Sequence, residues 1–315
     1  MNLEDTKNIE NAIDNRLNLP ASGTWPETRH FLKSEPAHAM IAALASNRTL
    51  LVRGEPGLGK SQLARAAAVV LNRRFISTVI QPDTEYQDLL WGIDHTQRLA
   101  DAQLASQAGN TDKLKDFKNY IGPGALWWAL DWSGAEQQAE NCSHNYSPPE
   151  DIDAPDAKQA GVVLLIDEID KADISLANSL LEVLGNGNFA VPPLGKTVKA
   201  SRVSPLVILT TNETRQLPAA LQRRCVVLNM TMPEDVQPHL ISLGKTHFPE
   251  MDTAILGEAA DQIVKDRDAC HEMPKTGQAE YLDLLRALTE VAKTSAEQRQ
   301  WLAKLACYFH KSSSG

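Results

Sequence analysis

The segment from Gly54 to Ser61 constrains the fold of this chain more than any other feature. It matches the phosphate-binding pattern G-x-x-x-x-G-K-[ST] and lies between a predicted strand at 50–53 and a predicted helix at 61–71. Glycines let the backbone amides curl towards phosphate oxygens, and the following helix adds the positive end of its dipole. A glycine-rich turn that precedes a lysine by chance is disfavoured, because the predicted strand and the predicted helix flank the segment where the pattern requires them.

Two residues of this segment have specific expected roles. Lys60 should reach the β and γ phosphates of a nucleotide, and the Ser61 hydroxyl should ligate magnesium. ATP and Mg2+ are therefore the expected cofactors, although the sequence leaves ATP against GTP open. The full expected nucleotide-binding set is Gly54, Glu55, Pro56, Gly57, Leu58, Gly59, Lys60, Ser61 and Gln62.

Two further apolar runs end in polar side chains. Residues 162–166 read Val-Val-Leu-Leu-Ile and are followed by Asp167 and Glu168, and residues 207–211 are followed by Asn212. Ligands of parallel sheets bind at the carboxyl ends of strands. We expect Asp167 to hold the magnesium, Glu168 to activate the attacking water, and Asn212 to sense the γ phosphate. Acidic residues that merely close a surface strand, or an asparagine in a turn, are the competing interpretations.

A short predicted helix at 217–224 ends in Arg223 and Arg224. An exposed arginine pair at a subunit edge can reach a neighbour's γ phosphate and offset charge in the transition state. We favour Arg224 as the acting residue, although the pair can equally be a solvated basic helix end.

Strands and helices alternate from about residue 35, which is typical of a parallel sheet flanked by helices. After residue 233 the pattern is entirely helical. The predicted fold is therefore α/β with a C-terminal all-helical domain. The predicted divisions are an N-terminal arm or short helix and turn at 1–34, an ATPase domain at 35–232, a helical lid at 233–309 and a disordered tail at 310–315. Within the ATPase domain, 83–135 is an insert and 136–160 an acidic flexible loop.

The charge balance, the apolar runs and the cysteines each disfavour a class of protein. The formal net charge is −9, which disfavours a globally basic nucleic-acid binder, although a local basic stripe stays possible. No apolar run approaches the length of a membrane span, and the N-terminus lacks a signal-peptide pattern. The four cysteines show no Cys-x-x-Cys spacing, which favours reduced thiols and a cytoplasmic location over disulfides or zinc.

Four elements follow one another along the chain: the phosphate-binding segment, the strand that ends in Asp167 and Glu168, the strand before Asn212, and the helix that ends in two arginines. In this order they resemble the AAA+ ATPases, and within them the MoxR-like branch, over about residues 35–292. The branch often shows Asp-Glu-Ile-Asp-Lys-Ala, which is present at 167–172, a Gly-Pro-x-Leu-Trp element similar to 122–127, and Leu-x-x-Ala-Leu-x-Arg-Arg-Cys, which is present at 217–225. The segments 88–92 and 98–103 look like the same branch.

The resemblance implies a P-loop NTPase sheet with a helical lid, assembled as a ring, usually a hexamer. It implies that 122–130 faces the ring pore and that 189–200 is a hairpin before the Asn212 strand. Burial of Trp127 and Trp128 under the insert is an equally good interpretation of those two side chains. Related proteins often remodel protein clients with a von Willebrand factor A type partner. Many such lids carry an arginine early in their third helix, but residues 274–281 contain none, and Lys275 is a weak substitute.

These expectations favour an ATP-hydrolysing homo-oligomeric ring that remodels a protein partner. A motor stimulated by nucleic acid, and a nucleotide-gated scaffold with little turnover, are the alternatives. The net charge argues against the first alternative and the complete set of carboxylates argues against the second.

Overall fold

The computed structural model describes residues 3–107, 116–142, 161–201, 203–269 and 275–309. The predicted tail at 310–315 lies outside the described residues, as does most of the predicted acidic loop, from 143 to 160. Residues 136–141 of that loop are helical instead, because Gln138 is buried and its amide donates to the carbonyls of Lys118 and Ile121.

The strands and helices of the described chain are numbered from the N-terminus. The strands are β1 Arg16–Leu19, β2 Thr28–Phe31, β3 Leu50–Arg53, β4 Arg74–Val79, β5 Trp91–Ile93, β6 Ile121–Pro123, β7 Val162–Asp167, β8 Asn188–Val191, β9 Lys196–Lys199, β10 Leu206–Thr211 and β11 Val226–Asn229. The helices are α1 Leu3–Ala12, α2 Ser34–Ser46, α3 Lys60–Leu71, α4 Tyr86–Leu90, α5 His95–Gln107, α6 Ala125–Leu130, α7 Trp132–Asn141, α8 Ile174–Asn186, α9 Ala219–Arg224, α10 Val236–His247, α11 Thr253–Ala269, α12 Gln278–Val291 and α13 Ser295–Leu305.

Five parallel strands of the described chain form the central sheet, in the spatial order β11-β3-β10-β7-β4. Strands β7 and β10 are apolar over 162–166 and 206–209 because both of their faces are covered, as is usual for parallel strands inside an α/β domain. The predicted α/β class with a C-terminal helical part is confirmed. The strand that precedes Asn212 also lies beside the acidic strand, as expected.

Alternate side chains along the strands enter two separate cores. Leu50, Val163 and Ile208 face the core that contains α1, α2 and α3. Leu164 and Leu209 face the opposite core, which contains α6 and α8. Because successive side chains alternate between the two faces of the sheet, each face packs against one layer of helices, and the strand register is fixed.

The N-terminal residues are more ordered than the predicted arm. Helix α1 packs on α3 with Ile9 fully buried, and β1 and β2 form an antiparallel hairpin. The guanidinium of Arg65, on α3, is fully buried and donates to the carbonyls of Pro20 and Pro26. Arg65 therefore holds the hairpin loop against the helix that follows the phosphate-binding segment, a tertiary contact that local sequence patterns do not reveal.

The segment expected to face a pore is instead interior. Helix α6 reads Ala-Leu-Trp-Trp-Ala-Leu, and Leu126, Trp127 and Trp128 are at most 2% exposed. A helix that is apolar on all sides is stable only when it is buried on all sides. In the described part of the insert, the large apolar side chains that are exposed are Leu99 and Leu104 of α5.

The predicted hairpin is present as β8 and β9, paired antiparallel. It covers α6, since the rings of Phe189 and Trp127 meet edge to face at 6.1 Å and the Lys196 amine lies 4.5 Å from the Trp127 ring. Helices α10 to α13 form a third core around Leu240, Ile263 and Tyr281. The exact division between the helical part and the sheet domain, at residue 233, stays a prediction. None of the described helices has both the length and the apolar character that crossing a membrane requires.

Replacing Trp127 with alanine should lower the free energy of unfolding by about 3–5 kcal/mol, because it removes a fully buried aromatic side chain and leaves a cavity. Trp301→Ala is the matched control, since that ring is 37% exposed on α13. Chemical denaturation of both variants measures the difference. An equal, small effect for both would contradict the burial of α6.

Candidate functional site

The Lys60 amine joins the phosphate-binding segment to the turn after β10 at the carboxyl edge of the sheet. It donates to the carbonyl of Gly54 at 2.7 Å, the carbonyl of Glu55 at 2.9 Å and Oδ1 of Asn212 at 2.7 Å. Burial lowers the pKa of Lys60, and the neighbouring carboxylates, Asp167 foremost, oppose that shift. A lysine has three N–H donors, so all three are engaged.

Ser61 and Asp167 are adjacent, as the sequence predicts for a magnesium site. The Ser61 hydroxyl donates to Oδ2 of Asp167 at 2.9 Å. The Thr210 hydroxyl donates to the other carboxylate oxygen and accepts from the backbone N–H of Glu168 at 3.0 Å. A hydroxyl and one carboxylate fit Mg2+, which binds oxygen ligands and usually shares its shell with water and substrate phosphates. The described residues contain no cluster of three or more His, Cys, Asp or Glu that suits a metal cage.

Glu168 lies beside Asn212. Its Oε1 accepts from the Asn212 amide at 3.1 Å, and its Oε2 accepts from the Lys171 amine at 2.5 Å. Glu168 adopts a left-handed backbone conformation with φ 59°, which turns the chain sharply after β7. Since Asn212 also accepts from Lys60, one amide joins the lysine expected to bind phosphate to the carboxylate expected to act as base.

Asp170 fixes the turn that carries Asn212. It is buried, and its carboxylate accepts from the Thr214 hydroxyl at 2.5 Å, the Thr214 N–H at 3.0 Å and the Asn212 N–H at 3.4 Å. Burial raises the pKa of Asp170, but these hydrogen bonds outweigh it and hold the pKa below its ordinary value. Asp170 therefore stays ionised and positions the backbone of the Asn212 turn.

At two positions of the phosphate-binding segment, a side chain larger than that of glycine would clash with neighbouring atoms. Gly54 has φ 146°, and a Cβ there would lie 2.1 Å from the Met230 carbonyl oxygen. Gly57 has φ 81°, and its Cβ would lie 2.8 Å from Cβ of Ala279 on α12. The N-terminus of α3 has no side-chain cap, which leaves its first N–H groups for an anion.

These groups share one cavity of about 540 Å3, a size suited to a small-molecule ligand. Its lining includes Pro56 to Leu63 with Asp167, Glu168 and Asn212, and it continues between the β1–β2 hairpin and the helices α10 and α12. On that side, burial and the nearby His247 lower the pKa of His30 to about 4. His30 is therefore neutral near pH 7. The far wall of the cavity combines imidazoles and apolar side chains with the charged side chains of Arg29, Lys33, Asp283 and Arg286.

The expected arginine pair lies elsewhere. Arg223 and Arg224 are exposed at the end of α9, neither lines this cavity, and Arg224 donates to the Leu181 carbonyl at 3.2 Å. The other predicted residues are brought together. Glu55 holds Lys60 through its carbonyl, and Gln62 lines the cavity and accepts from Arg65 at 2.9 Å.

Sequence reasoning missed Thr210, Asp170 and the cavity wall. Thr210 could have been found from register, because Ile166 pairs with Leu209 and the next position places Thr210 beside Asp167. Asp170 belongs to the 167–172 segment but carries no signal for its role without the neighbouring turn. The wall formed by Trp25, His30 and the lid helices depends on a hairpin that was not predicted.

Comparison with known proteins identifies one domain. The family model for the AAA domain, dynein-related subfamily, matches residues 49–225, more than half of the chain and a range that includes all of the predicted site residues. Comparison with curated proteins finds no match. A solved structure of a candidate ATPase from Cytophaga hutchinsonii is 12% identical, with a TM-score of 0.40, and covers 84% of this chain and 78% of that chain. A likeness this weak indicates nothing about function.

Asp170→Asn should lower the free energy of unfolding at pH 7 by about 1–3 kcal/mol, because the amide cannot accept all three hydrogen bonds. Since folding lowers the pKa of Asp170, its contribution is complete above the unfolded value of about 3.9 and is lost as the pH falls through the folded value. The difference from the unmodified protein should therefore shrink below about pH 4.

Thermal unfolding from pH 7 to pH 3 measures this difference. Asp173→Asn is the control, because Asp173 caps α8 from the surface and asparagine caps almost equally well. A gap between Asp170→Asn and the unmodified protein that stays constant over this range would contradict the assignment.

Proposed function

The chain belongs to the dynein-related subfamily of AAA domains, and from that premise we propose that it is a magnesium-dependent ATPase. It works as a homo-oligomeric ring, with six subunits as the favoured number, and uses hydrolysis to remodel a protein partner. The observation that carries the proposal is the hydrogen-bonded series Lys60, Asn212 and Glu168 beside the Ser61–Asp167 pair, all within one cavity.

Each of these side chains has a defined role in phosphoryl transfer. Lys60 and the N–H groups of α3 would bind the phosphates. Ser61 and Asp167 would hold the magnesium ion, which would neutralise phosphate charge. Glu168 orients and deprotonates the attacking water. Asn212 lies between Lys60 and Glu168, so its amide can report occupancy of the γ-phosphate position to the base.

Assembly is part of the proposal because the arginine pair does not reach the cavity of its own chain. Arg223 and Arg224 are exposed at the end of α9. An arginine from one subunit that enters the next subunit's cavity would stabilise the charge of the transition state and make turnover depend on the ring. We favour Arg224 for this role.

The nature of the partner is proposed from the family resemblance and from the net charge. The MoxR-like segments at 122–127, 167–172 and 217–225 support a chaperone-like action on a protein, with a von Willebrand factor A type partner. The net charge of −9 supports a protein partner over a nucleic acid. The scattered cysteines, of which Cys142, Cys225 and Cys307 are free, support a cytoplasmic location.

Glu168→Gln should retain ATP affinity and lose turnover by at least about a hundredfold, because the amide cannot accept the proton from water. Phosphate release and equilibrium binding of a fluorescent ATP analogue measure the two quantities. Lys60→Ala is the comparison, since it should abolish binding itself. Substantial hydrolysis by the Glu168→Gln protein would assign the base elsewhere, and undiminished binding by Lys60→Ala would contradict the phosphate-loop assignment.

Mixing Arg224→Ala subunits with Glu168→Gln subunits should restore part of the hydrolysis that each variant lacks alone. An intact Arg224 on the Glu168→Gln subunit can then serve the intact Glu168 of its neighbour. Phosphate release is measured over a range of mixing ratios, with mixed assembly verified by co-purification of differently tagged chains. Mixed rings without any restored turnover would show that Arg224 does not act between subunits.

A further inference from the structure

Glu55 faces two parts of the molecule at once. Its backbone carbonyl accepts from the Lys60 amine at 2.9 Å. Its carboxylate accepts from Nη2 of Arg267, at 2.9 Å to Oε2 and 3.2 Å to Oε1. A single residue of the phosphate-binding segment therefore contacts both the phosphate-binding lysine and the helical lid.

Arg267 also holds the lid segment that follows its own helix. It lies near the end of α11, and its Nη1 donates to the Thr276 carbonyl at 3.2 Å, directly before α12 begins. The Arg267 side chain is 14% exposed and the Glu55 side chain 30%, so water screens this ion pair less than a surface pair. Arg267 thus joins α11, the start of α12 and the phosphate-binding segment.

The start of α12 lies directly against the same segment. A Cβ on Gly57 would reach 2.8 Å from Cβ of Ala279, and one on Gly59 would lie 3.6 Å from the Gln278 amide nitrogen. The lid therefore approaches the phosphate-binding segment closely at Gly57 and forms an ionic contact with it at Glu55, and Arg267 supplies the ionic contact.

A phosphate cannot bind Lys60 without changing these contacts. All three donors of the lysine are engaged by Gly54, Glu55 and Asn212, so a phosphate oxygen must displace at least one of them. If the Glu55 carbonyl is released, the backbone of Glu55 can shift, and its carboxylate shifts relative to Arg267.

We propose that Arg267 is a positioning residue that couples the lid to nucleotide binding through Glu55. The inference rests on the proposed function and assigns the coupling to α11, outside the 274–281 segment, which lacks an arginine. The competing interpretation is a brace within the lid, in which Arg267 acts only through the Thr276 carbonyl.

Four variants separate these interpretations: Glu55→Gln, Arg267→Gln, the double variant, and Arg299→Gln as the matched control. Arg299 also forms an ion pair with a glutamate, Glu258, between α13 and α11, but that pair is more exposed and lies within the lid. The measurements are the affinity for a fluorescent ATP analogue, the melting temperature, and hydrogen exchange of the α12 amides with and without saturating ATP.

Coupling predicts that each single variant at the Glu55–Arg267 pair changes ATP affinity by about fivefold in the same direction, and that the double variant shows no larger change than either single one. ATP should slow exchange in α12 of the unmodified protein and of Arg299→Gln, and do so much less in Glu55→Gln. A brace within the lid would leave Glu55→Gln unchanged in both affinity and exchange.

The proposal is overturned if Glu55→Gln matches the unmodified protein, or if the two single effects multiply in the double variant. If the melting temperature shows that Arg267→Gln is unfolded, the Glu55→Gln result alone decides, with Arg267→Lys as the folded comparison. Failure of the unmodified protein to bind ATP would instead contradict the proposed function, so the two failures are distinguishable.

Discussion

The organisation of this chain depends on one partly buried ammonium group. Lys60 collects acceptors from the phosphate-binding segment and from the turn after β10. Burial of such a cation is costly unless hydrogen bonds and opposite charges compensate. Asp167, Glu168 and Asp170 supply the charge, and they are close enough because β7 and β10 are neighbouring strands. The strand order is therefore a requirement of the site as well as of the core.

The sequence predicted the parts of the site that are local or follow from parallel strands. The glycine-lysine-serine segment has a fixed spacing, and continuous apolar runs such as 162–166 indicate strands buried on both faces. Once such strands are parallel and adjacent, the polar residues at their ends must meet. Asp167, Asn212 and Ser61 were accessible to this reasoning because backbone geometry alone determines where they lie.

What the sequence did not reveal depends on contacts between distant segments. The hairpin of β1 and β2 is held by a buried arginine that donates to the carbonyls of Pro20 and Pro26, and no local pattern encodes those acceptors. Helix α6 was expected in a pore because of a family resemblance, yet its composition already indicated burial on all sides. Arg267 lies 212 residues from Glu55 in the chain, so only the folded molecule brings them together.

The close approach of Gly57 to Ala279 has a consequence for protein engineering. The contact between the lid and the phosphate-binding segment leaves no room for a methyl group at Gly57. A bulky residue introduced at position 279 would clash with Gly57 and hold the lid away from the sheet, while the sequence of the phosphate-binding segment stays unchanged. A chain with this substitution would have its lid held open permanently.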